Sequence, residues 1–250
     1  MNIKVIVLAG GTAERLKPLT EHIAKPLIDV AGKPMINYVM ESLDAAGMDD
    51  ICVSTNEKFA DEFKEWRDDY GFNVSIVAEK MPGGKKLGAI AGLAFVIEQR
   101  KIDDDCLIIA GDNLFGFSVA DFISFYRKKK APVVGAYDVH RIDDAKRFGV
   151  ITASGDGRIT DFEEKPDRPK SSLVATACYI LPKTALKMIP AYLKEGNSRD
   201  SPGHFLAWLA KKTPVYAYPF STYWFDVGTF ASLEAAIDFM SRHAERADLL

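Results

Sequence analysis

Apolar residues fall along the chain in two recurring patterns. Short unbroken runs rich in β-branched residues occupy 3–8, 51–54, 74–77, 107–110 and 133–137. Runs of this kind suit strands buried on both faces, as in parallel sheets covered by helices. Between them, over 34–46, 57–70, 87–100 and 119–130, apolar residues recur every three or four positions. That spacing predicts amphipathic helices, the first opening on Pro34, where a proline is tolerated. The alternation predicts an α/β fold: a doubly wound, mostly parallel sheet flanked by helices.

After Val139 the rhythm shortens. Strands are expected at 149–153, 159–163 and 174–181, the first two joined across a turn at Ser154-Gly155-Asp156-Gly157. Helices at 183–193 and 203–212, strands at 215–218 and 223–225, and a helix from 230 to about 244 complete the chain. This stretch reads as a small β-rich lobe facing the substrate. The 250 residues are expected to form one domain, with parts at about 1–139, 140–228 and 229–250.

Composition narrows the function classes. With 48% hydrophobic and 27% charged residues the chain has the apolar content for a large core. Its net charge of -3 and pI near 5.9 lack the basic footprint of a nucleic-acid binder. Cys52, Cys106 and Cys178 are odd in number and sit in strand-like runs, as reduced buried thiols do. No apolar stretch approaches the ~20 residues of a membrane span, and no signal-peptide layout is present. A cytoplasmic location is expected; a homo-oligomer is left open.

The candidate chemistry lies at strand ends. Leu8-Ala9-Gly10-Gly11 closes the first strand, where the carboxyl edge of a parallel sheet opens into a ligand crevice. Glycines there let backbone N–H groups approach phosphate. The spacing fits neither a dinucleotide fingerprint nor a P-loop. Arg15 and Lys25 follow closely, and two cations behind such a turn suit a triphosphate. Asp112, in Ala110-Gly111-Asp112-Asn113, ends another buried run and is placed to help hold Mg²⁺. Glu163-Glu164-Lys165-Pro166 and Trp224-Phe225-Asp226-Val227-Gly228 put further charges at strand ends. Lys33 reads as an ordinary charge ahead of a helix. The four histidines lack zinc spacing, and no serine-hydrolase elbow occurs.

Taken in order, Leu8-Ala9-Gly10-Gly11, Arg15-Leu16, Lys25-Pro26-Leu27, Gly32-Lys33-Pro34-Met35, Gly111-Asp112-Asn113, Phe148-Gly149-Val150, Glu163-Glu164-Lys165-Pro166, Ala175-Thr176-Ala177 and Trp224-Phe225-Asp226-Val227-Gly228-Thr229 resemble the signature of the sugar-phosphate nucleotidyltransferases. The resemblance runs through essentially the whole chain. Hexapeptide repeats are absent from it, which points to the short glucose-1-phosphate thymidylyltransferase branch. The resemblance implies that Leu8, Ala9, Gly10, Gly11, Gly88 and Asp112 bind the nucleotide and that Arg15 and Lys25 act on its phosphates. It further implies that Asp112 and Asp226 hold Mg²⁺, and that Gly149, Glu164, Lys165 and Thr176 bind the sugar phosphate.

The implied substrates are a nucleoside triphosphate and a sugar-1-phosphate, first dTTP or UTP with glucose-1-phosphate, second guanine with mannose-1-phosphate. A metal-dependent glycosyltransferase using Asp103-Asp104-Asp105 is the alternative on a similar sheet. The chain departs from the family pattern at Ala13-Glu14, at Ala177, where a glycine is common, and over 200–205. Glu14 is expected to point away from the triphosphate, or to approach it only through a cation.

Overall fold

A computed structural model describes residues 3–11, 13–80 and 86–247. Thr12 and residues 81–85 lie outside the described residues. In chain order the first elements are β1 (Ile3–Leu8), β2 (Asp29–Val30), β3 (Lys33–Pro34), α1 (Met35–Ala45), β4 (Ile51–Asn56), α2 (Ala60–Tyr70), β5 (Val74–Glu79), α3 (Ala89–Gln99) and β6 (Asp105–Ala110). Then come β7 (Asn113–Phe115), α4 (Val119–Lys129), β8 (Val133–Asp138), α5 (Ile142–Ala145), β9 (Gly149–Ala153), β10 (Ile159–Glu164) and β11 (Leu173–Leu181). The chain ends with α6 (Lys183–Leu186), α7 (Ile189–Lys194), α8 (Pro202–Ala210), β12 (Tyr216–Phe220), β13 (Trp224–Asp226) and α9 (Phe230–Ala247).

The expected α/β sheet forms, with nine strands. Strands β5, β4, β1 and β6 lie side by side and parallel. The β-branched residues of β1, β4 and β6 are buried on both faces, Val5 and Val7 under α1, α2 and α4, Ile6 and Ile108 under α3 and α8, whereas in β5 only Val74 is fully buried. The next strand in space is not the next in sequence. β11 inserts antiparallel between β6 and β8, and β12 then pairs parallel with β8. Its carboxyl half pairs with β6, whereas Val174 in its amino half pairs with Val150 of β9, which forms an antiparallel hairpin with β10. The β-rich lobe is therefore continuous with the parallel sheet through one strand.

The register of β11 slips between Ala175 and Tyr179, and Ala177 in the slip is left-handed, at φ 54°. A non-glycine residue held there costs on the order of 1–3 kcal/mol, which the surrounding pairing must overcome. A glycine would carry no such penalty.

One expectation needs correction. The helix expected over 183–193 is two, α6 and α7, because Pro190 in the first turn of α7 has no N–H to continue the ladder from α6. The segment between β1 and α1, for which no element was predicted, forms 3-10 turns at Glu14–Leu16, Leu19–Glu21 and Lys25–Leu27 and the β2–β3 hairpin. Among the described residues no helix is long and apolar enough to cross a membrane.

Candidate active site

The carboxyl ends of the parallel strands are tied together through their backbones. Ala9 N donates to Ser54 O at 2.7 Å, and Gly111 N donates to Leu8 O at 2.9 Å. The glycine turn after β1 and the acidic turn after β6 are thus neighbours by main-chain contact alone. A Cβ on Gly111 would come within 3.4 Å of the Pro26 side chain, so a small residue there lets the Lys25–Leu27 turn settle onto the strand end. That packing delivers Lys25, whose Nζ lies 2.5 Å from Asp112 Oδ2, with only 11% of its side chain exposed.

Asp226 arrives from another direction. β13 pairs antiparallel with β7 outside the main sheet, placing Asp226 opposite Asn113, the residue after Asp112. Asn113 joins three elements: it accepts from Trp224 Nε1 at 2.6 Å and donates to Thr176 O at 2.5 Å. The walls of the cleft, and after them the charge of Asp112, push the Asp226 carboxyl above its usual range; Lys25, Arg15 and Arg147 oppose the rise. Solvent still reaches Asp226 in the open cleft, so the rise is screened and carries little weight for folding. Arg15 lies over Gly228, where a Cβ would sit 2.8 Å from its guanidinium.

Among the described residues no group of three or more His, Cys, Asp or Glu is placed to hold a metal. What the cleft offers is the two-carboxylate set of Asp112 and Asp226, with Lys25 ion-paired to Asp112 and also acting on the charge of Asp226. Such a pair matches the way Mg²⁺ is commonly bound, through one or two carboxylates and the oxygens of substrate phosphates.

Across the cleft, β10 ends in Glu164, whose side chain is 9% exposed. Ser201 Oγ donates to it at 2.7 Å, and its other oxygen occupies the space a Cβ would need on Gly203. Gly149, its cross-strand partner, has room for no side chain beside Phe162 and Glu164. Lys165, left-handed at φ 48°, turns its exposed ammonium toward the opening, 3.8 Å from Glu164. Thr176 is buried and its hydroxyl donates to Gly135 O at 3.0 Å.

Two adjoining cavities, about 740 and 330 Å³, share Arg15, Arg147, Phe148, Lys165, Trp224 and Asp226. The smaller also takes in Asp112, Gly149, Glu164 and Thr176. Arg15, Asp112 and Asp226 thus share one cleft with Gly149, Glu164, Lys165 and Thr176, whereas Leu8, Ala9, Gly10, Gly11 and Lys25 are not among its lining residues. Gly88 lies apart from these cavities. At φ 89° it packs against the backbone of Arg199, where a Cβ would be 2.6 Å from the carbonyl oxygen. Glu14 pairs with Lys17 at 2.6 Å, and Lys33 pairs with Glu41 at 2.5 Å.

Sequence reasoning passed over Glu79 and Arg147. Glu79 ends β5 beside the glycine turn, accepts from Ser54 Oγ at 2.6 Å and fills the space beside Gly10 and Gly92. Burial raises its carboxyl above the usual range. A charge closing a strand two residues beyond the expected end was its only signal. Asp103 and Asp105 lie at the opposite end of β6 from Asp112. Asp103 pairs with Lys187 at 2.7 Å, and Asp105 accepts from Tyr126 Oη at 2.6 Å. The acidic run is accounted for by structure, and the metal-dependent glycosyltransferase alternative loses its motif.

A glycine turn, paired carboxylates and flanking cations at the carboxyl edge of an α/β sheet define a class of protein that handles phosphorylated ligands. Residues 4–243 match the family model for nucleotidyl transferase, and the chain belongs to that family. It is 31% identical over 247 residues to a glucose-1-phosphate thymidylyltransferase of Neisseria meningitidis serogroup A, covering 95% of this chain and 82% of that one. It is 29% identical over 230 residues to a mannose-1-phosphate guanylyltransferase of Mycobacterium tuberculosis, covering 91% of this chain but only 61% of that relative's length. A Bacillus anthracis crystal structure, whose own assignment as a glucose-1-phosphate thymidylyltransferase is provisional, superposes with a TM-score of 0.82 at 28% identity, over 96% of this chain and 95% of that one.

Proposed function

We propose that the protein joins a nucleoside triphosphate to a sugar-1-phosphate, releasing pyrophosphate and a nucleoside-diphosphate sugar. The observation that carries this reading is one cleft lined by Arg15, Asp112 and Asp226 together with Glu164 and Lys165, with Lys25 ion-paired to its Asp112. Arg15 and Lys25 hold the triphosphate, with the backbone of Leu8, Ala9, Gly10 and Gly11 against the nucleotide. Lys165 takes the phosphate of the acceptor, and Glu164 and Gly149 line the space for its sugar. An oxygen of that phosphate attacks the α-phosphorus in line. No general base is needed, because the attacking oxygen is already ionised. Positioning and charge neutralisation are the protein's main contributions to such chemistry. Asp112 and Asp226 would hold Mg²⁺, which supplies charge neutralisation to the phosphates when bound.

Glucose-1-phosphate with dTTP or UTP is the first pair to test, supported by the branch the sequence resembles. The comparable match to a guanylyltransferase keeps mannose-1-phosphate with GTP as the second. The experiment is a matrix of nucleoside triphosphates against sugar-1-phosphates with Mg²⁺, read by pyrophosphate release. A signal with dTTP or UTP and glucose-1-phosphate is expected. A signal confined to GTP and mannose-1-phosphate would transfer the assignment to that pair, and silence throughout would overturn the reading.

A further inference from the structure

Arg147 stands among the site's cations with no part in the mechanism above. It lines both cavities, alongside Arg15 and Lys165. The β9–β10 register explains why. Gly149 pairs with Glu164, and one step further out Lys165 N donates to Phe148 O at 3.0 Å. The segments carrying Arg147 and Lys165 therefore run side by side at the same end of the hairpin. Phe148 is braced by Trp224, ring centroids 5.0 Å apart, and the Arg147 guanidinium lies 5.4 Å from the Phe148 centroid. An aromatic face at that distance attracts a cation and restrains its direction. The guanidinium has little else to hold it. Its ion pair with Asp144 is long, 3.9 Å, and the side chain is 65% exposed, an arrangement that contributes little to stability.

We propose that Arg147 is a second phosphate-binding residue for the acceptor, gripping the sugar-1-phosphate together with Lys165. The inference rests on the nucleotidyl-transfer reading and deepens its acceptor side. A phosphate monoester carries a charge of about -1.5 to -2 near neutral pH, so one ammonium leaves it under-neutralised as it nears a triphosphate. A guanidinium adds the missing charge, and its planar fork can hold two phosphate oxygens at once, which fixes the orientation of the attacking one.

The test uses the substrate pair that the wild-type protein turns over. Arg147→Ala should raise the KM for the sugar-1-phosphate about 10- to 100-fold, as loss of a charge-assisted hydrogen bond does, and leave the KM for the nucleoside triphosphate within about twofold. Arg147→Lys keeps the charge without the fork and should fall between, which serves if Arg147→Ala folds poorly. Asp144→Ala removes the ion-pair partner but not the guanidinium and should leave both constants near wild type. An unchanged KM for the sugar-1-phosphate, an equal rise for both substrates, or the same rise in Asp144→Ala would overturn the role of Arg147 while leaving the reaction intact. A wild-type protein without turnover on any pair would overturn the reaction, and this inference with it.

Discussion

The two walls of the cleft are built differently. On the side of the glycine turn, backbone does most of the work: Ala9 to Ser54 and Leu8 to Gly111 are main-chain contacts, and Gly111 lets the Lys25–Leu27 turn close in. On the side of Glu164, side chains hold one another: Ser201 to Glu164, and Trp224 through Asn113 to the carbonyl of Thr176. Glycines give close approach to phosphate without any side chain to lose. A side-chain network gives shape, but each member depends on the others. The two walls should therefore fail in different ways.

The largest expected effect lies where the walls meet. Asp112→Asn and Asp226→Asn should each lower turnover on the order of 100-fold or more, the scale of losing one electrostatic element of a transition-state site. Steady-state rates at limiting Mg²⁺ check this. A wild-type rate in either variant would remove that carboxylate from the site. Next comes Asn113→Ala, which leaves the buried Thr176 carbonyl and the Trp224 indole N–H without their partner. It should cost about 2–4 kcal/mol of stability through those lost bonds, seen as a lower denaturation midpoint. A midpoint unchanged from wild type would mean the wall on the side of Glu164 does not depend on this bridge.

The smallest effect separates the walls by pH. Glu79, beside the glycine turn, has its carboxyl raised by burial, so the folded protein binds its proton more tightly than the unfolded chain. That contribution is fully present below the ordinary carboxylate range and is lost as pH rises through the folded value. Glu79→Gln, which is never charged, should therefore be more stable than wild type near neutral pH and lose that advantage in acid. Melting curves across that range test it; a difference independent of pH would remove the buried charge as its cause.

How much of this was legible in the sequence follows the same division. The parallel strands announce themselves because burial on both faces forces continuous β-branched runs, and their ends carry Gly10, Gly11 and Asp112 where a reader can find them. The turns over 14–27 carry no period to read, although they bring Lys25 to Asp112. β7 is three residues long, too short to show alternation, yet it is what places Asp226. Nor does local sequence reveal that β11 enters between β6 and β8, since that choice is made by partners far away along the chain. Arg147 was hidden for a similar reason: its neighbour Lys165 is brought to it only by the hairpin register.

The double membership of β11 bears on how this molecule can be taken apart. A cut after Val139, where the sequence changes rhythm, would strip from β6 and β8 the strand that lies between them, while β9 would keep its pairing to β11 in the other fragment. Both fragments would expose unpaired backbone along a strand that is interior in the whole protein, the kind of edge that invites aggregation. Swapping the β-rich lobe for that of a relative would thus have to carry β11 across as a unit, bulge included, with the β6 face of the recipient matched to it.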